Sequence, residues 1–515
     1  MESNRTNLSR AGRTGLNWTW LIAVPVLAAA FALYQPALRD AIQSLYKTNA
    51  NPSVTIKQGT IVGRLVDDGS FPAPLEGFMG IPYALPPVGA LRFRPVVPVP
   101  ESNQTFDAFF LGPRCPGKQL VPFLDDDGLG PDYESEDCLT INIWRPRDHN
   151  STAKKLPVAV LVPGGAFNRG AARMHNTHSM GLLNLGLKDM YVALEWIQEN
   201  ISAFGGDPND ITIMGLSAAA HGIGHLIMDI KQPKRLFHKA IMDSGAHTAR
   251  AMHPPSSALN TQHLRELLDL TDCSHFTDLH DPEILTCLRG LPSDAIDAAG
   301  KKVFEQSDPS VRWAWQPVMD GEIISRRPLD AWKSGKWQKV PILTGSAHNE
   351  GSFYVPRTAN HLNDFTSFFS TLLLHMTASE ISELEALYPD PATSPDSPYV
   401  ETSGNKAIDA QFRRMEAAYG HYAYTSPVRQ TAVWATSHSA SDPPVFLYHW
   451  ALNKTALFGA NHGDQMRYQT YNKEVREISP SQEEVAGKFH AYCGSFITHG
   501  DPNAMKTGKF AERPH

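Results

Sequence analysis

The strongest chemical feature of this chain is a serine set between small residues, where a run rich in β-branched side chains meets a helix-forming one. The stretch reads Ile211-Thr-Ile-Met-Gly-Leu-Ser-Ala-Ala-Ala-His221. Residues 211–214 have the composition of a buried strand ending at Gly215, and the segment through Gly222-Ile-Gly-His-Leu-Ile-Met228 that of a helix. Ser217 stands at the turn between them. A hydroxyl on so abrupt a turn projects above the sheet, and the N–H groups of the first helical turn point the same way. Nucleophilic attack on a carbonyl carbon needs that arrangement. The turn is crowded, so the positions two before and two after the serine must be small. Gly215 and Ala219 fill them, giving G-x-S-x-A where the usual pattern is G-x-S-x-G.

Other residues have spacings that could do chemistry. His175-x-x-His178 and His221-x-x-x-His225 are spaced as metal ligands can be. Neither pair has a third ligand or the glutamate of an H-E-x-x-H motif, so no metal site is expected. Gly222 and Gly224 are poor helix formers, which points to close backbone packing behind the serine. The five cysteines have no C-x-x-C spacing. Cys115 with Cys138, and Cys273 with Cys287, would each close a short loop, which reads as two disulfides formed in an oxidising compartment. Cys493, among Phe489, Tyr492 and Phe496, reads as a buried free thiol. Asn103, Asn150, Asn200 and Asn453 each begin an N-x-[ST] glycosylation sequon.

The elements that must hold these residues lie in a chain of 515 residues, 42% hydrophobic and 19% charged, with a formal net charge of −7. That composition suits a large folded core, and the charge argues against a nucleic-acid partner. Arg5, Arg10 and Arg13 precede an apolar run, 18–34. At about 1.5 Å per residue the run can just span a bilayer core. Ala30-Phe-Ala32 would equally serve as a cleavage site, so a signal anchor and a cleaved signal peptide both fit. The expected organisation is a cytoplasmic segment 1–17, the anchor or signal 18–34, a linker 35–52 and a catalytic domain 53–515. That domain would face the lumen or the exterior, as a single-pass membrane protein or, alternatively, a secreted one, touching membrane only through its N-terminal segment.

From 54 to 65 the pattern alternates around Gly59 and Gly63, as in two short antiparallel strands. Residues 78–89 are too proline-rich for helix. Strands are expected at 140–144 and, fully apolar, at 156–162. In these segments the chain resembles the type-B carboxylesterase family, which includes cholinesterases and related lipases, in its fungal form. The resembling stretches are Gly80-Ile-Pro-Tyr-Ala-Leu-Pro-Pro-Val-Gly89, Ser135-Glu-Asp-Cys-Leu139, Gly164-Gly-Ala-Phe167, Ala193-Leu-Glu-Trp-Ile197, Phe204-Gly-Gly-Asp-Pro208 and Gly215-Leu-Ser217. Asn349-Glu-Gly351, His462-Gly463 and Gly500-Asp-Pro-Asn503 follow in the same order.

The resemblance implies an α/β-hydrolase: a mostly parallel central sheet, helices on both faces, and an active site above the strands' C-terminal ends. It implies hydrolysis of a small-molecule or lipid carboxylic ester through an acyl-enzyme, with no cofactor. Ser217 would be the nucleophile, His462 its base and Glu350 the residue that orients the base. His348 lies beside Glu350, but the resemblance assigns the base to His462. The N–H groups of Gly165, Ala166 and Ala218 would receive the oxyanion, and Pro163 stands where the family commonly has histidine. The family's disulfides fall on Cys115–Cys138 and Cys273–Cys287, and its internal salt bridge on Arg92 and Glu136. Ser244 corresponds to a buried, structural serine. Nothing in the sequence sets the oligomeric state.

One departure is large. Only 52 positions separate Gly165 from Ser217, and the stretch 168–190 holds no β-branched run of strand length. About thirty residues, one strand with its crossover, are missing relative to the family, with the junction at Met180/Gly181. The chain also stops at His515, soon after Gly500-Asp-Pro-Asn503. A catalytically impaired esterase-like binding or adhesion protein, or a truncated gene product, is therefore the alternative expectation.

Overall fold

Five parallel strands form the sheet that carries the serine, in the order β11-β10-β9-β8-β7. They are β7 (Leu156–Val162), β8 (Gly206–Leu216), β9 (Lys239–Asp243), β10 (Ile342–Ala347) and β11 (Val445–Trp450). The computed structural model describes residues 47–48, 50–67, 73–117, 134–147, 154–167, 184–306, 314–402, 404–452 and 457–505. The chain divides into two units, Met1–Pro52 and Ser53–His515. Little of the first is described beyond a turn in which the main-chain N–H and Oγ1 of Thr48 both donate to Asn51 Oδ1.

Every residue of β9 and β10 is buried, as strands covered on both faces must be. Alternation decides which cover each side chain meets. Ile211 and Ile213 of β8, with Ala240 and Met242 of β9, share a core with Leu194, Ile197, Ile223 and Leu226. Those four belong to two helices, Leu185–Asn200 and Ala218–Met228. Met214, Ile241 and Leu343 point the other way and meet Cys493 and Phe496 of the helix Pro480–His499. Helices therefore lie on both faces, as the resemblance implied. Register matches the C-terminal ends of the strands: Val162 pairs with Gly215, Leu216 with Asp243, and Asp243 with Gly345.

The expected hairpin near the start is β1 (Ser53–Ile56) paired antiparallel with β2 (Gly59–Val62). β5 (Thr105–Asp107) joins their sheet. A third sheet, β3-β4-β6, is antiparallel, built from Arg64–Val66, Leu75–Pro82 and Thr140–Pro146. Among the described residues this sheet shares no strand pairing with the five-stranded one, and β6 and β7 each have a single pairing neighbour. The helix Leu185–Asn200 carries the resembling stretch Ala193-Leu-Glu-Trp-Ile197. It ends in a 3-10 turn, Ile201–Phe204, closed by Gly205 at φ 92°.

Several expectations lie outside the described residues: the segment 18–34, His175 and His178, the Met180/Gly181 junction, Asn150 and Asn453. Among the described residues no helix is long and apolar enough to cross a membrane.

Candidate active site

Ser217 follows directly on β8 and caps the helix Ala218–Met228, at φ 61° and ψ −124°. Side chains are rarely held there, and such strain marks a sharp strand-to-helix turn. Its N–H donates to the Asp243 carbonyl at 2.9 Å. The demand for small neighbours is visible in the packing. A Cβ on Gly215 would stand 2.6 Å from the Ala219 Cβ and 2.9 Å from the Val162 oxygen. Ala219 fits because Gly215 leaves it room.

The loop after β7 lies against this turn, since a Cβ on Gly164 would come 2.6 Å from the Leu216 oxygen. Gly165 and Ala166 follow at φ 133° and 56°. For alanine that conformation costs about 1 kcal/mol. Among the described residues neither N–H donates a hydrogen bond, and Ala218 opens the helix, where N–H groups have no partner within it. Uncommitted donors beside a serine suit a developing oxyanion.

The expected acid and base arrive on two loops paired to each other. Asn349 donates its main-chain N–H to the Ala460 oxygen at 2.8 Å, and its side-chain oxygen accepts the Ala460 N–H at 3.0 Å. Gly459 is required there, because a Cβ would stand 2.1 Å from Asn349 Oδ1. Asn461 is tied in turn to Asp464 Oδ2 through its N–H at 3.0 Å and its Nδ2 at 2.9 Å. Glu350, 1% exposed, has both carboxylate oxygens engaged. Oε1 accepts the Ala347 N–H at 2.6 Å, and Oε2 accepts His462 Nδ1–H at 2.5 Å. His462 Nε2 is buried and meets no partner among the described residues, Ser217 Oγ included.

Residues that the sequence reading missed complete the surroundings. The Tyr424 ring lies over His462 at 4.4 Å, and Tyr354 meets it edge-on at 5.6 Å. Arg250 donates to the Tyr424 hydroxyl at 3.2 Å. Tyr424 sits in a π-helical turn, His421–Thr425, between the helices Phe412–Gly420 and Ser426–Ala435. Such widened turns gather at functional sites. Tyr354 lay within reach, four residues beyond Glu350; Tyr424 had no local signal.

The remaining predicted residues fall as follows. Cys115–Cys138 and Cys273–Cys287 are disulfides, and Cys493 is a buried free thiol. Arg92 and Glu136 meet through two bonds, 2.6 and 2.7 Å, and Arg92 also donates to the Leu291 oxygen at 2.7 Å. Ser244 is fully buried and accepts Gln465 Nε2 at 3.0 Å. His221 Nδ1 accepts the Ala246 N–H at 3.0 Å, and burial holds its pKa well below the ordinary value. Burial likewise lowers His225 to about 3, and its ring packs edge-on against His247 at 5.9 Å. A Cβ on Gly224 would stand 2.7 Å from the His247 nitrogen, which explains that glycine as close packing. Asn103 is exposed. Asn200 is a correction: it is 3% exposed and its Nδ2 donates to the Trp196 oxygen at 3.0 Å, so it offers no attachment point for a glycan.

The sequence pattern of the Carboxylesterase family matches residues 50–181 and 179–513. Secreted lipase 4 of Gibberella zeae is 30% identical over 485 aligned positions, spanning 87% of this chain and 83% of that protein. Secreted lipase 1 of Botryotinia fuckeliana is 29% identical, spanning 96% and 93%. The crystal structure of Aspergillus niger EstA superposes with a TM-score of 0.74 at 24% identity, covering 90% of this chain and 91% of that one. The chain belongs to the carboxylesterase family and is an ester-hydrolysing enzyme built on the α/β-hydrolase fold.

Proposed function

We propose that this enzyme cleaves carboxylic esters through Ser217, His462 and Glu350. Ser217 Oγ attacks the carbonyl carbon as its proton passes to His462 Nε2. The N–H groups of Gly165, Ala166 and Ala218 receive the oxyanion. Collapse expels the alcohol, which takes the proton from His462 and leaves an acyl-serine. Water then attacks, again losing its proton to His462, and the free acid departs as Ser217 regains its hydrogen. Glu350 holds the ring with Nδ1 protonated, so that Nε2 is the basic nitrogen. The observation that carries this reading is the 2.5 Å Glu350–His462 bond, which leaves Nε2 as the uncommitted ring atom. Relatives named as secreted lipases favour an exported enzyme acting on acyl esters over a non-catalytic binding protein. A fluorophosphonate probe should label the folded chain and leave Ser217→Ala unlabelled. Equal labelling of the two would overturn the assignment.

The shortened segment is part of this reading. The chain lacks the strand that would lie beside β7. Support comes from β7 itself, wholly apolar yet paired on one side among the described residues. Further support comes from the family match, whose two segments meet at residues 179–181.

A further inference from the structure

One buried aspartate outside the proposed triad bonds both to the Ser217 main chain and to the helix that follows His462. Asp243 closes β9 and is fully buried. Its main-chain oxygen accepts the Ser217 N–H. Its side chain accepts the Tyr448 hydroxyl of β11 at 2.6 Å and Gln469 Nε2 at 3.0 Å. Gln469 ends the short helix Gln465–Gln469, which begins three residues after His462. Gln465, at its start, donates to Ser244 Oγ and reaches the Tyr448 hydroxyl at 3.5 Å. One residue thus ties Ser217, through its main-chain oxygen, to the helix behind the histidine loop, through its carboxylate.

The cluster can also accept a proton. Among the described residues no cation pairs with Asp243; the ionisable groups facing it are the Tyr448 phenol, the Cys493 thiol and Glu350. Gln465 Oε1 and Gln469 Oε1 are buried without a donor. A protonated Asp243 could therefore donate to Gln469 Oε1 after that amide rotates, which exchanges one bond direction for the other. Burial raises the Asp243 carboxyl to about 6, with the Tyr448 and Gln469 bonds opposing it.

We propose that Asp243 is a positioning residue: its ionised carboxylate holds the Gln465–Gln469 helix, and with it His462, in reach of Ser217, and protonation, which forces the Gln469 amide to turn over, loosens that hold. Activity then has an acid-side component that belongs to Asp243. The inference rests on the triad reading.

The test measures the rate of fluorophosphonate labelling and of soluble-ester hydrolysis across about pH 5 to 8. It uses the full chain, D243N, Y448F and S217A, with melting temperatures taken alongside. D243N should react about tenfold more slowly at the upper end with KM little changed, and its acid limb should lose the Asp243 component. Y448F, which removes a donor from the carboxylate, should move that limb to higher pH. The stability sign is opposite. The folded carboxyl binds its proton more tightly than an unfolded aspartate, so its contribution to stability is lost as pH rises through about 6. D243N should therefore melt no lower than the parent above that pH. A parent labelled no faster than S217A would overturn the triad and this inference with it. Labelling of the parent, with D243N superimposed on it at every pH, would overturn this inference alone. Slow variants that melt early and leave the acid limb unmoved would do the same, by assigning Asp243 a structural role.

Discussion

Glu350 has no room to do anything but hold His462, because one oxygen is fixed by the Ala347 N–H and the other by the imidazole. Glu350→Gln preserves size while presenting an amide to Nδ1, and the ring then settles in the wrong tautomer. The expected result is a loss in kcat of about 10³ to 10⁴ with KM and melting temperature little changed, read from steady-state kinetics and thermal unfolding. A loss below about tenfold would remove Glu350 from the machinery. Residues differ in how well the sequence announces them. Ser217 is legible because its whole setting, strand, turn and helix, is local. A lone glutamate or histidine in a loop carries no pattern, so Glu350 and His462 became visible only through ordered resemblance. Asp243 and Tyr448 meet across 205 positions, and no periodicity encodes a contact of that span. Asn200 misled for the opposite reason: its sequon is a local pattern, and packing at the end of its helix overrides it.

Glycines mark where elements come closest around the site. Gly420, just before the π-helical turn, would place a Cβ 3.0 Å from the Gly351 nitrogen and 3.2 Å from the Glu350 Cβ. Gly351 faces that helix even more tightly, its Cβ position lying 2.0 Å from the Glu416 oxygen. Gly351→Ala must push the acid loop away from the helix, because the obstacle is backbone. It should lower stability by about 2 kcal/mol or more and reduce activity together with it, checked by denaturant unfolding and turnover on the same preparation. An alanine variant with parental stability would mean that the loop has slack. The elements themselves were legible where one covering face or two set a clear pattern. β7 has the predicted limits, and the helix after Ser217 runs where its small and apolar residues required. The π-helical turn was invisible, since one extra residue in a helix barely disturbs the 3.6-residue period.

For the molecule as a whole, the antiparallel sheet β3-β4-β6 shares a hydrophobic core with the parallel one, yet among the described residues no strand pairing joins them. Parallel strands are normally covered on both sides, and an apolar strand with one neighbour is poorly stabilised and prone to pairing with other chains. Inserting about thirty residues, a strand with its crossover, between Met180 and Gly181 should raise the melting temperature by at least about 5 °C and increase the soluble fraction. An insertion that lowers both would show that the chain is complete without it. The pairing of Asn349 with Asn461 and the bonds from Gln469 to Asp243 also bear on how the enzyme is made. The serine turn is synthesised well before the histidine loop, and the helix Pro480–His499 that covers β8 and β9 comes later still. A nascent chain would carry the proposed nucleophile for almost half of its synthesis with no base to activate it. Ester-cleaving power would therefore be acquired late, as the last stretches dock, and the growing chain would stay inert toward esters until then.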